Sequence, residues 1–301
     1  MELRVKKKVL GIAILLNLII VLSQIVAGIY SHSIALITDA LHNFQDVVSL
    51  IIAFIAVIFI AKKPTSHMTF GYKRAESLAG FINSAVLVGA VIVIIITGIE
   101  RLLFPEPVDS LIVIIVGLVA FVVNSLSAYL LGFHHHHNHH HHHHHHEEDL
   151  NIRAAYLHLL SDAMISLGVV IGGIAMYFLS IYWIDPVLSI LFSLYILKET
   201  IPVLKKSVRI LMEGVPEELD KEEIIKEIKS LDGKIKDVHD LHIWALSSKD
   251  IYLTGHIVVE NQSLKQIEPL IKDIETKLAK FGINHITLQF ETKNFNCEIR
   301  H

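Results

Sequence analysis

The chain has 301 residues, 52% of them hydrophobic and 19% charged, and its mean hydropathy of +0.54 lies well above that of a soluble domain. A formal charge of −4 without any aromatic-basic stripe argues against a nucleic-acid partner, and the single cysteine, Cys297, excludes an internal disulfide and a Cys-based zinc finger. Apolar runs fill residues 9–204 and shorter alternating elements follow from 213, which predicts a membrane half and a soluble half.

Arg4, Lys6, Lys7 and Lys8 precede the first uncharged run. That run is too long for the apolar core of a signal peptide and predicts an uncleaved span over residues 9–30. The second run, after a connector at 31–33, contains Asp39, His42 and Asp46 and is closed by Lys62 and Lys63. Runs three and four cover residues 77–99 and 111–132, with Pro105, Glu106, Pro107 and Asp109 turning the chain between them. Residues 134–146 are all histidine except Asn138. The tract is internal and followed by Glu147, Glu148, Asp149 and another span, so it is read as native, disordered and loosely metal-binding rather than as a tag. Run five, residues 154–180, holds His158 and Asp162, and run six starts after Pro186 but meets Lys198 and Glu199, which must snorkel or pair at the membrane edge.

With six spans, Arg4 to Lys8, Lys62 to Arg74, Arg153, and Lys205 to Arg209 fall on one side. Glu106, Asp109 and Asp185 fall on the other, where Arg101 is the one basic exception. The excess of positive charge on cytoplasmic loops then puts both termini in the cytoplasm.

In the soluble half, Pro216, Glu217, Glu218 and Asp220 open a helix with an apolar stripe of Ile224, Ile225, Ile228 and Leu231. Residues 235–246 and 251–259 predict a hairpin, and Leu264, Ile267, Ile271, Ile274 and Leu278 recur at helical steps. A final strand over 283–291 alternates Ile286, Leu288 and Phe290 with His285, Thr287, Gln289 and Glu291. The expected fold is a six-span helical membrane domain followed by a small α+β domain ordered α-β-β-α-β, one sheet face covered by two helices.

The chemistry is concentrated in a repeated pattern, Leu41-His42-x-x-x-Asp46 in run two and Leu157-His158-x-x-x-Asp162 in run five. A four-residue step on an α-helix puts His and Asp on one face, about 6 Å apart along the axis. Two such helices side by side bring two imidazoles and two carboxylates to one point, enough for a tetrahedral divalent site with Zn²⁺ as the default ion. An Asp in mid-membrane costs about 2.5 to 3.5 kcal/mol on insertion scales, so paired intramembrane acids point to function. Asp39 lies on the same broad face and is a candidate second-layer acceptor or proton carrier.

These two motifs, the stretch Phe70-Gly71-Tyr72-Lys73-Arg74-Ala75-Glu76, the histidine-rich loop, Leu211-Met212-Glu213-Gly214-Val215-Pro216 and the Asp240-Leu241-His242-Ile243-Trp244 strand together resemble the cation diffusion facilitator family of zinc transporters. The resemblance runs from the first span to about Glu291. It implies a homodimeric antiporter in the cell membrane that moves Zn²⁺ out of the cytoplasm in exchange for protons, with Zn²⁺ as substrate and regulatory ion and no enzymatic cofactor. Its domains would be residues 1–212 in the membrane, 213–292 as a metallochaperone-like cytoplasmic domain, and a tail, 293–301, with Cys297 and His301. The transport site would be His42, Asp46, His158 and Asp162. By the same resemblance His239 and His256 fall where members bind metal in the cytoplasmic domain, His285 and Glu291 are candidates to complete that site, and Arg74 and Glu213 form a charge pair at the domain junction. His67 is the one candidate for a further loop site and reads as a solvated histidine.

Two other functions fit parts of the pattern. A metal-dependent membrane enzyme would need an open coordination position and a general base, as in H-E-x-x-H, a motif the chain lacks. A membrane-embedded metal sensor would explain the histidine tract and soluble domain but has no use for two ligand pairs in the bilayer.

Overall fold

The computed structural model describes residues 2–60, 62–135 and 146–295. Residues 136–145 of the histidine tract and the tail residues Cys297 and His301 therefore lie outside the described residues.

Six long helices come first: α1 (Glu2–Ser31), α2 (Ile34–Ile60), α3 (Ala75–Leu103), α4 (Ser110–His135), α5 (His146–Leu179) and α6 (Ile184–Leu211). Helix α6 continues through Lys198, Glu199 and Pro202, so the proline removes one backbone bond, to the carbonyl four residues earlier, without ending the helix. Among the described residues four stretches are long and apolar enough to cross a membrane: Ala75–Leu103, Ser110–Tyr129, Tyr156–Leu179 and Ile184–Leu211. Asn17–Ser31 is a shorter apolar stretch. Val86, Val93, Ile96, Ile115 and Ile171 all stand exposed on these helices, an arrangement suited to lipid rather than water.

The chain divides into two compact units, one of Met1–Ile51 with Ala85–Ile201 and one of Ile52–Ser84 with Pro202–His301. In the first, α4 and α5 run antiparallel in close contact because glycines face the partner helix. A β-carbon at Gly117 would lie 3.1 Å from Val170, and one at Gly173 would lie 2.9 Å from Ile114. Helix α2 is anchored at its start. The Ser33 hydroxyl accepts from the Leu36 amide at 3.1 Å and donates to Asp185, whose other oxygen accepts the Ile34 amide at 2.7 Å. A buried carboxylate from the first turn of α6 thus satisfies the open amides of α2 and fixes where that helix begins.

In the second unit, α7 (Lys221–Leu231) is capped by Asp220, which accepts from the Glu222 amide at 2.9 Å, and buries Ile224 and Ile228. A capping box between Ser263 and Gln266 opens α8 (Leu264–Ala279). Leu264, expected on the buried stripe of α8, is exposed at the helix's first residue, and Leu270 is buried instead. Strands β1 (Ile235–Ala245), β2 (Ile251–Val259) and β3 (Ile283–Thr292) form a sheet in the order β1-β2-β3, with β1 antiparallel and β3 parallel to β2. The parallel pair needs a crossover, which α8 supplies. Leu253, Ile257, Ile274 and Leu278 are fully buried between sheet and helices, each side chain contributing about 1.5–3 kcal/mol.

Strict alternation along β1 would put His239 on the side of Leu241 and Ile243, and the structure overturns that expectation. Strand pairing shifts between His239 and His242, and Asp240 has φ of 50°, so β1 carries a bulge. Gly255 on the facing strand makes room for it, since a β-carbon there would lie 2.6 Å from Leu241 Cδ1. Val238 and Leu241 both enter the core, and His239 turns to the opposite face, across from its strand partner His256.

The loop between α2 and α3 packs on the hairpin within this same unit. Lys73 Nζ lies 2.5 Å from Asp250 Oδ1, the Ser248 hydroxyl donates to Glu76 at 2.8 Å, and the Phe70 ring meets Tyr252 at 5.5 Å. The hydrogen bond to Asp250 raises the Lys73 ammonium above its ordinary value. Burial works against the Asp250 charge, but bonds from Lys73 and Ser247 outweigh it and hold the carboxyl below its ordinary range.

Candidate functional site

Two groups of side chains among the described residues are placed to hold a metal ion, His42 with Asp46 and Asp162, and His239 with His256 and Glu291; His158 is not within 4.8 Å of every member of the first. The first lies in the first unit, where α2 and α5 present their matched motifs to each other. His42 Nε2 is 3.0 Å from Asp162 Oδ1, and His158 Nε2 is 3.2 Å from Asp46 Oδ1. The pairing is crossed, each imidazole meeting the carboxylate of the other helix, while His158 also lies 3.9 Å from Asp162 on its own helix. The His42 and His158 rings stand 6.0 Å apart, edge to face. Metal bonds of about 2.0–2.1 Å imply tetrahedron edges of about 3.3–3.4 Å. The crossed separations are already close to such edges.

Exposure is graded across this cluster. Asp162 and His42 are buried, Asp46 is half-buried, and the His158 side chain is 50% exposed. An ion can therefore be approached from the His158 and Asp46 side and is enclosed by His42 and Asp162. Asp39 sits behind, fully buried, accepting from Gln24 Nε2 at 2.6 Å and from the Ser166 hydroxyl at 3.0 Å. Asn43 Nδ2 donates to Gln24 Oε1 at 3.1 Å. Sequence reasoning missed Gln24, Asn43 and Ser166. Ser166 carries a readable signal, being four residues beyond Asp162 on the same face, and Gln24 is an isolated amide in an apolar run.

The second group is His239, His256 and Glu291 in the second unit, with ligand atoms within 4.8 Å of one another. Glu291 is buried, with Oε1 at 2.9 Å from His256 Nδ1 and Oε2 at 3.4 Å from His239 Nε2. His239 Nε2 is buried and makes no hydrogen bond among the described residues, which is the state of an atom free to ligate. Asp237 and Asp240 lie 3.8 Å from His239 and His256 respectively. Hydrogen bonding from Lys229 holds the Asp237 carboxyl below its ordinary range.

His285 is not brought to this group. It lies opposite Tyr252, against that ring at 4.6 Å and near Phe70 at 6.4 Å, while Glu291 lies opposite Val258. Alternation puts His285 and Glu291 on one strand face, but six residues of rise at about 3.3 Å each separate them along it. His242 is exposed beside Asp240, and His67 belongs to neither metal-ready group. Arg74 and Glu213 do meet, at 2.5 Å within one chain. Helix α6 ends with Glu213 in a left-handed conformation, φ 58°, where the Glu213 amide donates a hydrogen bond to the Ile210 carbonyl and the Gly214 amide donates one to the Arg209 carbonyl. That closing turn is what aims Glu213 toward the loop.

The chain matches the family model described as the cation efflux transmembrane domain over residues 10–212, and the one described as the cation efflux protein cytoplasmic domain over residues 216–293. It is 36% identical over 291 residues to the cadmium, cobalt and zinc/H(+)-K(+) antiporter of Bacillus subtilis, covering 96% of this chain and 90% of the relative. The metal cation efflux system protein CzcD of Cupriavidus metallidurans is 36% identical over 284 residues, covering 94% and 85%. The zinc transporter ZitB of Escherichia coli is 34% identical over 275 residues, covering 90% and 82%. Matched over nearly its whole length, and carrying paired His and Asp side chains on neighbouring helices, the chain belongs to the cation diffusion facilitator family and is an integral membrane transporter rather than an enzyme.

Proposed function

We propose that this protein exports Zn²⁺ from the cytoplasm in exchange for protons, binding the ion at His42, Asp46, His158 and Asp162. The crossed His–Asp pairs carry this reading, because each sets one imidazole nitrogen 3.0–3.2 Å from one carboxylate oxygen, close to the edge of a tetrahedral zinc site. Metal requires those nitrogens unprotonated and those carboxylates ionised, so protons compete for the very atoms that bind the ion. A proton arriving from the acidic side displaces the metal, and a metal arriving from the cytoplasm displaces protons. In purified proteoliposomes, a pH gradient acid on the outer side drives Zn²⁺ outward, and flux persisting after the gradient is collapsed would sink proton exchange. Because relatives are named for cadmium and cobalt, Cd²⁺ and Co²⁺ belong in the same flux series.

The rest of the reading follows from this one. All six long helices span the membrane with both termini cytoplasmic, in the cell membrane, and the protein is a homodimer. The membrane domain runs to residue 212, the cytoplasmic domain covers 213–292 and residues 293–301 form a tail. His239, His256 and Glu291 take up cytoplasmic Zn²⁺ as a regulatory ion, and Asp39 supports the transport ligands from behind. Arg74 and Glu213 stabilise the junction on which dimer assembly depends. Glu213→Lys weakens the dimer, and adding Arg74→Glu in the same chain restores part of the loss. The pair is half exposed, so the expected coupling is about 0.2–1 kcal/mol. Sedimentation analysis of the single and double variants measures it, and strictly additive losses would rule out direct pairing.

A further inference from the structure

Gln24 is completely buried in the C-terminal half of α1, and both ends of its amide are used on α2. Nε2 donates to Asp39 Oδ2 at 2.6 Å and Oε1 accepts from Asn43 Nδ2 at 3.1 Å. Asp39 and Asn43 bracket His42, three residues before it and one after. Neither end of the amide is left to bind an ion. The two helices lie close enough for this contact because Gly28, one turn further along α1, faces α2: a β-carbon there would be 2.6 Å from Ile37 Cγ1. The other side of Asp39 is held by Ser166 on α5, one turn beyond Asp162.

We infer that Gln24 is a positioning residue for metal selectivity: by clamping α2 on both sides of His42, it fixes the rotation of that helix and hence where His42 Nε2 stands relative to Asp162. The inference rests on the transport-site reading above. Its leverage follows from helix dimensions. Side-chain tips lie about 5–6 Å from a helix axis, so a turn of 10° about the axis moves a ligand atom by about 1 Å. Metal–nitrogen bonds tolerate only about ±0.2 Å. A buried network in which each member has its partner is stiff enough to hold that tolerance, and one missing an amide is not.

Gln24→Met keeps the length of the side chain and removes both hydrogen bonds, and Asn43→Ala removes one. The measurements are Zn²⁺ and Cd²⁺ flux in proteoliposomes and equilibrium Zn²⁺ binding to the protein in a background that carries His256→Ala and lacks residues 134–146, which silences the cytoplasmic group and removes the histidine tract. Gln24→Met should raise KM for Zn²⁺ by about 10-fold or more with the maximal rate nearly unchanged, as loss of an outer-layer partner does, and should narrow the preference for Zn²⁺ over Cd²⁺. Asn43→Ala should move both quantities in the same direction by less, and it carries the test alone if Gln24→Met does not insert as a monodisperse protein. A merely structural role would lower the thermal midpoint and the active fraction without touching KM or the metal ratio. Unchanged KM and metal ratio in the folded variants, alongside weakened Zn²⁺ binding in His42→Ala, would overturn this inference alone. Unchanged binding in His42→Ala would overturn the transport site and this inference with it.

Discussion

With Asp162 replaced by alanine, the proposed site requires Zn²⁺ transport to fall by more than the ~10–100-fold that loss of an outer-layer partner brings, because a bound ion would lose a direct ligand. Asp162 is the most enclosed member of the cluster, 2% exposed, and it touches both imidazoles. Two opposing terms decide whether the variant folds. Removing a carboxylate from the apolar helix relieves about 2.5–3.5 kcal/mol of insertion cost. It also strips His42 Nε2 of its buried partner, which costs about 1–3 kcal/mol. The terms nearly cancel, so the variant should insert and remain monodisperse by size exclusion while flux in vesicles disappears. Wild-type flux in such a preparation would place the transport site elsewhere.

His42→Asp changes which ion is carried rather than whether any is. The imidazole is buried and sits edge-on to His158 and, at 6.3 Å, to Tyr195, so it fills the inner wall of the cluster. Aspartate is shorter, carries a charge, and binds through one oxygen or two. The inner wall recedes, the coordination number can rise, and a larger ion is accommodated. The wild type should prefer Zn²⁺ over Cd²⁺, and the variant should transport both, the ratio of their kcat/KM values shifting by about tenfold or more, equivalent to ~1.4 kcal/mol. Parallel flux with each metal decides it, and an unchanged ratio would remove His42 from selectivity.

The paired motif was legible in the sequence because its information is local: a four-residue step fixes a helix face whatever surrounds it, and α2 and α5 needed only to be adjacent. The element order from α7 to β3 was legible for the same reason, through caps and apolar spacing at Asp220, Ser263 and Ile274. What lay outside local pattern was lost. Gln24 supports Asp39 only through helix packing, which no spacing in α1 announces, and the spacing that puts Ser166 on the face of Asp162 does not say that it reaches Asp39. His285 was grouped with Glu291 because alternation reports a face and not a position along it. Strict alternation would put His239 on the core side, but alternation presumes a regular strand, and a single residue with φ of 50° breaks that presumption. The sequence predicts six spans, and four helices stand out by length and apolarity among the described residues.

The bulge at Asp240 gives β1 two phases of alternation, and the extra residue lets Val238 and Leu241 both enter the core while His239 stays on the face of His256. Deleting that one residue would return the strand to a single phase. With Leu241 and Ile243 still anchored in the core, His239 would become the direct neighbour of Leu241 and would remain on the face of His256 and Glu291. Such a descendant would keep all three metal-ready side chains together and lose only the Asp240 carboxylate, which lies 3.8 Å from His256. A lineage can therefore shorten this strand by one codon without turning the group inward, so the length of the strand says less than its histidines when members of the family are compared.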